Sequence, residues 1–165
     1  MRVLGIDASL RSTGLGVVES DGSRLRAVEY GRIRNADRLL RSECLRRVAG
    51  GIEEMLTRTQ PDAVAIEGVF AFKNVRTVVV LGEVRGAAIL ICTRAGLPVF
   101  EYPPRRVKQA VVGFGAADKQ QVRQMVMQLL NLRAPPQEDA SDALAIAITH
   151  LHAGGRQAVL AQTPL

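Results

Sequence analysis

The chain has 165 residues, 47% of them hydrophobic, which predicts one domain with a sizeable core. It has no run of 18 apolar residues that could cross a membrane, and its N-terminus lacks the layout of a signal peptide. Twenty-two basic residues against 16 acidic ones give a net charge of +6, which favours an anionic partner such as nucleic acid, although an ordinary basic surface would give the same charge.

The first part of the chain predicts three consecutive antiparallel strands. Arg2 to Ile6 forms a short apolar run typical of a buried strand, and Gly14 to Val18 forms a second. A third strand is expected from about Leu25 to Ile33. Asp21-Gly22 is typical of a hairpin turn and joins the second strand to the third.

Helices and strands are predicted to alternate in the middle of the chain. Apolar residues at three- and four-residue steps predict a helix from about Leu40 to Leu56, and Pro61 marks its end. Asp62 to Ile66 is then a short strand, which we expect to pair parallel to the first. After a loop from Gly68 to Arg76, a helix is predicted from about Thr77 to Ala95. It is apolar nearly all round, which either burial in the core or a subunit interface would explain.

The last part predicts one strand and two helices. Pro98 to Tyr102 is the strand, one helix contains Val122 to Leu130, and the last helix begins near Asp139. The order β-β-β-α-β-α-β-α-α suggests an α/β fold of the ribonuclease-H-like layout, a five-stranded mixed sheet with helices on both faces. We expect residues 1–153 to form this domain and residues 154–165 to be a disordered tail.

The cysteines and histidines favour neither a disulfide framework nor a zinc site. Cys44 and Cys92 lie in apolar stretches of predicted helices, where a buried free thiol is ordinary. His150 and His152 do not complete a zinc-site spacing with them. We therefore expect a protein of the reducing cytoplasm.

Four acidic residues lie at the ends of predicted apolar elements. Asp7 and Glu67 fall at the carboxyl ends of neighbouring parallel strands, where ligands of such sheets bind. Asp139 and Asp142 open the last helix and, being three residues apart, share one face. If that helix packs on the same sheet edge, four carboxylates converge. Their repulsion would then require a cation, and Mg²⁺ or Mn²⁺ prefers such oxygen ligands.

Each carboxylate alone has a simpler explanation. Asp139 and Asp142 could stabilise a helix N-terminus through capping and the helix dipole. Asp7 could be a turn residue, and Glu67 could be a solvated strand end. Their joint placement is what favours a metal site, in which two ions about 3.5–4 Å apart could activate water and stabilise the leaving oxygen of a phosphodiester.

Candidate DNA-binding residues lie in a basic stretch between Pro103 and Arg123, whose only acid is Asp118. The basic residues before Arg123 are Arg105, Arg106, Lys108 and Lys119. For the two lysines, solvated helix faces are the alternative explanation. A lysine near a scissile phosphate, however, can stabilise developing negative charge.

Aromatic and basic residues also occur together in the loop after the fourth strand. Phe70 and Phe72 stand close to Lys73 and Arg76, a combination that suits stacking on unpaired bases with phosphate contacts. Covering the core is the alternative role for Phe70. From the residues alone, the two roles remain open.

The chain resembles the RuvC-type Holliday junction resolvases, from Val3 to about His152. Shorter matches are Leu4-Gly5-Ile6-Asp7, Ala65-Ile66-Glu67, and Val107-Lys108-Gln109 followed by Val112-Gly113-Phe114-Gly115-Ala116. The most specific stretch is Asp139-Ala140-Ser141-Asp142-Ala143-Leu144-Ala145-Ile146-Ala147-Ile148-Thr149-His150.

This resemblance implies a ribonuclease-H-like fold and a homodimer that binds four-way DNA junctions during recombination and repair. It implies paired symmetric nicks that depend on Mg²⁺ and leave a 5′-phosphate and a 3′-hydroxyl. RuvA and RuvB, the branch-migration proteins, are the implied partners. The residues it implies are the catalytic metal ligands Asp7, Glu67, Asp139 and Asp142, the base-stacking Phe70, and the DNA-contacting Lys108 and Lys119.

The chain departs from the usual pattern of the family in three places. Ala8-Ser9 replaces the usual Pro-Gly after the first aspartate, and Gly68 replaces the usual Gln after the glutamate. The helix beginning at Thr77 lacks a lysine common before the Leu-Gly pair. Two alternative functions therefore stay open: another ribonuclease-H-like nuclease acting on branched DNA or hybrids, and a junction protein that binds without cleaving.

Overall fold

The structure is a computed structural model that describes residues 1–68, 74–154 and 164–165. Within these residues five strands and five helices follow the order β-β-β-α-β-α-β-α-α-α. The strands are β1 Arg2–Asp7, β2 Ser12–Ser20, β3 Leu25–Arg34, β4 Ala63–Glu67 and β5 Val99–Tyr102. The helices are α1 Arg41–Thr59, α2 Val75–Arg94, α3 Pro104–Val112, α4 Lys119–Leu129 and α5 Glu138–Ala153.

The strands form one mixed sheet in the order β3-β2-β1-β4-β5. β1 is antiparallel to β2 and parallel to β4, and β4 is parallel to β5. The predicted hairpin is confirmed, because β2 and β3 pair antiparallel. In its turn Gly22 has a positive φ of 102°, which a residue without Cβ adopts freely. The short strand after α1 pairs parallel to β1, as predicted.

Alternate residues of each strand point to opposite faces of the sheet, and each face has its own core. Leu4 and Ile6 of β1 belong to the core that α1 and α2 cover. Val3 of β1 and Ala65 of β4 belong to the core under α3, α4 and α5. The predicted five-stranded mixed sheet with helices on both faces is therefore confirmed.

Helix α5 lies in backbone contact with the sheet. A Cβ added at Gly5 of β1 would lie 1.9 Å from the carbonyl oxygen of Ala143, and one added at Gly14 of β2 would lie 1.9 Å from that of Asp139. Only glycine allows so close an approach. The two glycines therefore fix how near the first turns of α5 lie to the carboxyl end of β1.

The prediction of two helices after the fifth strand is wrong, because α3 also forms. It has nine residues, begins with Pro104 at a position where proline is favourable, and ends at Val112, after which Gly113 takes a φ of 95°. Its buried residues are Val107 and Val111, and Val112 packs partly buried against the same core. Two buried residues in a short basic segment are too few to show a helical period.

Helix α2 buries only one face, although its sequence is apolar nearly all round. Its buried residues are Val84, Arg85, Ala88 and Cys92. On the outer face Val75, Val79 and Leu90 are 76%, 52% and 56% exposed. Burial among the described residues therefore does not explain the apolar composition of α2, and a subunit interface remains as the predicted explanation.

The end of the chain is described only in part. Helix α5 ends at Ala153, and residues 155–163 lie outside the described residues, so the expected disordered tail remains a prediction. The backbone N–H of Leu165 donates to the carbonyl of Val99 at 2.9 Å.

Two further predictions concern membranes and thiols. Among the described helices, none has the length and apolar character needed to cross a membrane. Cys44 and Cys92 are free and buried, as expected. Burial raises the pKa of the Cys92 thiol to about 12.

Candidate active site

Two of the predicted carboxylates are placed by strand register. Ile6 pairs with Ile66 in the parallel β1–β4 ladder, so Asp7 and Glu67 follow side by side. Alternation along each strand turns both of them toward the α5 face, the face to which Val3 and Ala65 belong. Both side chains are partly buried.

Helix α5 brings a third carboxylate to the same place. Asp142 lies in its second turn, next to the close contact between Gly5 and Ala143. A cavity of about 310 Å³ is lined by Asp7, Glu67 and Asp142, together with lysines from α3 and α4. The predicted convergence of Asp7, Glu67 and Asp142 on one cavity is therefore present.

The electrostatics of this cavity are those of crowded acids. Burial, followed by the charges of Asp142, Glu67 and Asp139, raises the pKa of Asp7 to about 7. Burial and the charge of Asp142 also raise the pKa of Glu67. The pKa of Asp142 is raised mainly by burial, against the opposing effect of Lys119. The metal-free protein thus holds these carboxylates together at an energetic cost.

Asp139 lies beside this group, with its carboxylate turned away. Ser12 on β2 donates its hydroxyl to Asp139 Oδ2 at 2.6 Å, and Arg32 on β3 lies 3.4 Å from the same oxygen. In the part of the chain that the structure describes, no group of three or more His, Cys, Asp or Glu side chains is arranged so that it could hold a metal ion. Ligation by all four carboxylates therefore remains a prediction.

The donor set nevertheless suits a divalent cation. Burial and the charges of neighbouring acids raise the pKa values of Asp7 and Glu67, and the nearby Lys119 offsets this only in part. Carboxylate oxygens are the ligands that Mg²⁺ and Mn²⁺ prefer. A cation among Asp7, Glu67 and Asp142 would offset both their burial and their mutual repulsion.

Two predicted lysines line the cavity opposite the acids. Lys119 begins α4, and its Nζ lies 2.8 Å from Glu138 Oε1 and 3.4 Å from Asp142 Oδ2. The hydrogen bond to Glu138 is the main reason for its raised pKa, and the Asp142 charge adds to it. Lys108 projects from α3, and its charge lowers the pKa of Glu67. The helix that the sequence prediction missed therefore carries one of these lysines.

The other predicted DNA-binding residues are scattered around the cavity or lie outside the described residues. Arg105 is exposed on α3. Arg76 is exposed in the first turn of α2 and lines a second cavity of about 520 Å³, which Asp7 and Glu67 also line. The loop residues Phe70, Phe72 and Lys73 lie outside the described residues, so their stacking and phosphate contacts remain predictions.

The sequence prediction gave no role to three residues that touch the acids. Ser12 and Arg32 bind Asp139, and Arg85 of α2 donates to the backbone carbonyl of Glu67. Arg85-Gly86 is one of the stretches that resemble the family, but the resemblance implied no role for Arg85. Ser12 lies in Arg11-Ser12-Thr13-Gly14, another stretch that resembles the family, whereas Arg32 gave no signal; the pairing of β2 with β3 brings both to α5.

Comparison with known proteins connects this geometry to one family. The sequence model described as crossover junction endodeoxyribonuclease RuvC matches residues 3–150. A relative of that name from Geobacter sp. (strain M21) is 46% identical over 160 residues, covering 97% of this chain and 98% of the relative. Another, from Acinetobacter baumannii, is 47% identical over 158 residues, covering 96% of this chain and 87% of the relative.

Solved structures show the same likeness in three dimensions. T. thermophilus RuvC in complex with a Holliday junction substrate is similar with a TM-score of 0.89 and 31% identity, and all of each chain is covered. The yeast mitochondrial Holliday junction resolvase has a TM-score of 0.65 at 10% identity, covering 91% of this chain and 78% of the other, and shows likeness of fold alone. The expected ribonuclease-H-like fold is thus confirmed.

Proposed function

The chain belongs to the crossover junction endodeoxyribonuclease RuvC family, and from this premise we propose that it resolves four-way DNA junctions by paired, symmetric nicks during recombination and repair. The observation that carries the proposal is the cavity shared by Asp7, Glu67 and Asp142, with Lys108 and Lys119 at its rim. The acids suit a divalent cation, and the lysines suit the phosphate that such a cation would contact.

The proposed cofactor is Mg²⁺, with Mn²⁺ as an alternative and two ions per site, held by Asp7, Glu67, Asp139 and Asp142. When bound, these ions would activate water and stabilise the charge that develops on the phosphate. For Asp139 to take part, its carboxylate would have to leave Ser12 and Arg32.

In the proposed reaction, a water oxygen forms a bond to phosphorus while the bond from phosphorus to the 3′ oxygen breaks. The products are a 5′-phosphate and a 3′-hydroxyl. Lys119 lies 3.4 Å from Asp142, and its ammonium group would lie close to the phosphate. Lys108 stands on the Glu67 side and would bind a neighbouring part of the backbone.

Two symmetric nicks need two sites, and we propose that a homodimer formed through α2 supplies them. The outer face of α2 combines exposed Val75, Val79 and Leu90 with Gly82 and Gly86, where an added Cβ would meet no atom of the described residues within 4 Å. Such a surface allows a second helix to approach closely. RuvA and RuvB as partners, and a cytoplasmic location, complete the proposal on the strength of the family resemblance.

Val79→Asp tests the dimer. We expect sedimentation to show a shift from dimer to monomer, because the change places a charge in the apolar contact. Tyr30→Asp is the matched control, since Tyr30 is 41% exposed on β3, away from α2. If Val79→Asp still sediments as a dimer, α2 does not form the interface.

The activity is tested with a synthetic four-way junction, a linear duplex and an RNA–DNA hybrid, each with Mg²⁺ and with Mn²⁺. We expect paired nicks in the junction alone. No cleavage across several junction sequences would refute the proposal, and preferred cleavage of the hybrid would favour another ribonuclease-H-like nuclease.

A binding-only protein is distinguished by metal titration. Calorimetry should detect Mg²⁺ binding to the wild-type protein and much weaker binding to Asp142→Asn, while both bind the junction. Junction binding without metal binding or cleavage would support the binding-only alternative.

A further inference from the structure

We propose that Arg85 is a positioning residue that fixes the catalytic Glu67 by clamping the carboxyl ends of β4 and β5 to helix α2. The inference rests on the proposed function, because it concerns the geometry of the proposed metal site. It assigns Arg85 no contact with DNA or metal.

Arg85 is the buried cation closest to the backbone of the site, with only 8% of its surface exposed. Its Nη1 donates to the carbonyl oxygen of Glu67, and its Nη2 donates to the carboxylate of Glu101 on β5. One guanidinium thus spans the ends of two neighbouring parallel strands. A buried cation is favourable only when such partners compensate it.

The peptide bond that follows Glu67 is held from both sides. Its carbonyl oxygen accepts from Arg85, and its N–H, which belongs to Gly68, donates to the carbonyl of Tyr102 at 2.8 Å. Residue 68 is a glycine, and glycine leaves the backbone freer than any other residue. The clamp from Arg85 removes that freedom immediately after the catalytic carboxylate.

The fork of an arginine is needed for this clamp. Its two donor arms reach a backbone carbonyl on one strand and a carboxylate on the next at the same time. A lysine ammonium is a compact charge on a flexible stem and does not reproduce this two-armed geometry. Loss of the clamp would let Glu67 shift, and mutation of residues that orient a metal ligand typically weakens metal binding by about 10–100-fold.

Arg85 also links the outer face of α2 to the site. It projects from the buried face of the helix, while Val79 and Leu90 occupy the exposed face. Any shift of α2 is therefore passed directly to the Glu67 carbonyl. Formation of the proposed α2 interface would steady the metal site through this one side chain.

The test compares Arg85→Met, Arg85→Lys and Glu101→Gln with the wild-type protein. In Arg85→Met we expect calorimetric Mn²⁺ affinity to fall about 10–100-fold and single-turnover cleavage of a four-way junction to fall about 100-fold at fixed metal. Junction affinity without metal should stay within about twofold, because Arg85 does not meet DNA. Glu101→Gln leaves the contact between Arg85 and Glu67 in place, so its Mn²⁺ affinity and cleavage rate should fall less than those of Arg85→Met. The values for Arg85→Lys should lie between those of Arg85→Met and Glu101→Gln.

Arg41→Met is the matched control, because it removes an exposed ion pair between α1 and Glu83 of α2 without touching β4. It should leave Mn²⁺ affinity unchanged. If the Arg85 variants melt earlier yet bind Mn²⁺ as tightly as the wild type, the residue is only structural and the inference is wrong. If Arg85→Met does not fold, the Mn²⁺ affinities of Glu101→Gln and Arg85→Lys test the inference in its place. Failure of the wild-type protein to cleave junctions would refute the proposed function, whereas the Mn²⁺ titration would still decide the role of Arg85.

Discussion

Replacing Asp7 by Asn should stabilise the metal-free protein while abolishing its cleavage activity. The carboxyl of Asp7 is partly buried among Glu67, Asp139 and Asp142, and its pKa is raised from 3.8 to about 7. The folded state therefore favours the protonated form of Asp7 more than the unfolded state does, and ionisation of Asp7 destabilises the fold. Asn keeps the shape of the side chain without the charge.

The size and sign of this effect follow from the pKa difference. Because the folded pKa lies above the unfolded one, the destabilisation begins as pH rises above about 4 and is complete above about 7. A difference of about 3 pH units corresponds to at most about 4 kcal/mol at 1.36 kcal/mol per unit. We expect a gain of about 2–4 kcal/mol at pH 8, since neighbouring acids can take up protons when Asp7 ionises. Near pH 4 the gain should vanish.

Urea denaturation in the presence of a chelator, at several pH values from 4 to 8, measures this gain. Glu53→Gln, an exposed acid on α1, is the control and should show no comparable trend. Added Mg²⁺ should stabilise the wild-type protein and have much less effect on Asp7→Asn. A stability difference between Asp7→Asn and wild type that does not change between pH 4 and 8 would refute the reasoning.

Three further outcomes are expected. Gly5→Ala should lower the free energy of unfolding, measured with urea, by about 1–3 kcal/mol and abolish cleavage, because the added Cβ would lie 1.9 Å from the Ala143 carbonyl oxygen. Gly31→Ala is the control and should keep cleavage, since its Cβ would meet no atom of the described residues within 4 Å. Full activity in Gly5→Ala would contradict the close contact. Lys119→Gln should slow single-turnover cleavage about 10–100-fold, since the ammonium group beside Asp142 is lost. It should also make junction binding depend less steeply on salt. An unchanged rate would show that Lys119 has no part in the site. Mg²⁺ affinity measured by calorimetry should rise from pH 6 to pH 8 as the acids lose their protons, and a flat profile would argue against carboxylate ligation.

The sheet could be predicted because its strands are short apolar runs with clear boundaries. Arg2–Asp7 and Ala63–Glu67 are such runs, and each ends in an acid, so the parallel pairing of β1 with β4 also placed two site residues. Asp142 followed once the last helix was recognised. These strands and this helix could be predicted from the composition and spacing of neighbouring residues in the sequence.

Other parts depend on contacts between distant segments and leave no local pattern. The direction of the Asp139 carboxylate depends on Ser12 and Arg32, which lie more than 100 residues away along the chain. One partner of Arg85 is the backbone carbonyl of Glu67, a group that every residue has and that therefore leaves no sequence pattern; the other, Glu101, lies on β5. Helix α3 was missed because it buries only Val107 and Val111, too few residues over nine positions to show a helical period.

The backbone contact between α5 and the sheet has a consequence for how much the core can change. The distance from Asp142 to Asp7 is set at Gly5 and Gly14, where main chain meets main chain, rather than by the size of packed side chains. Leucine, isoleucine and valine could therefore be exchanged elsewhere in the two cores without moving the acids apart. Redesign for greater thermal stability can proceed through those side chains, provided that the two glycines stay.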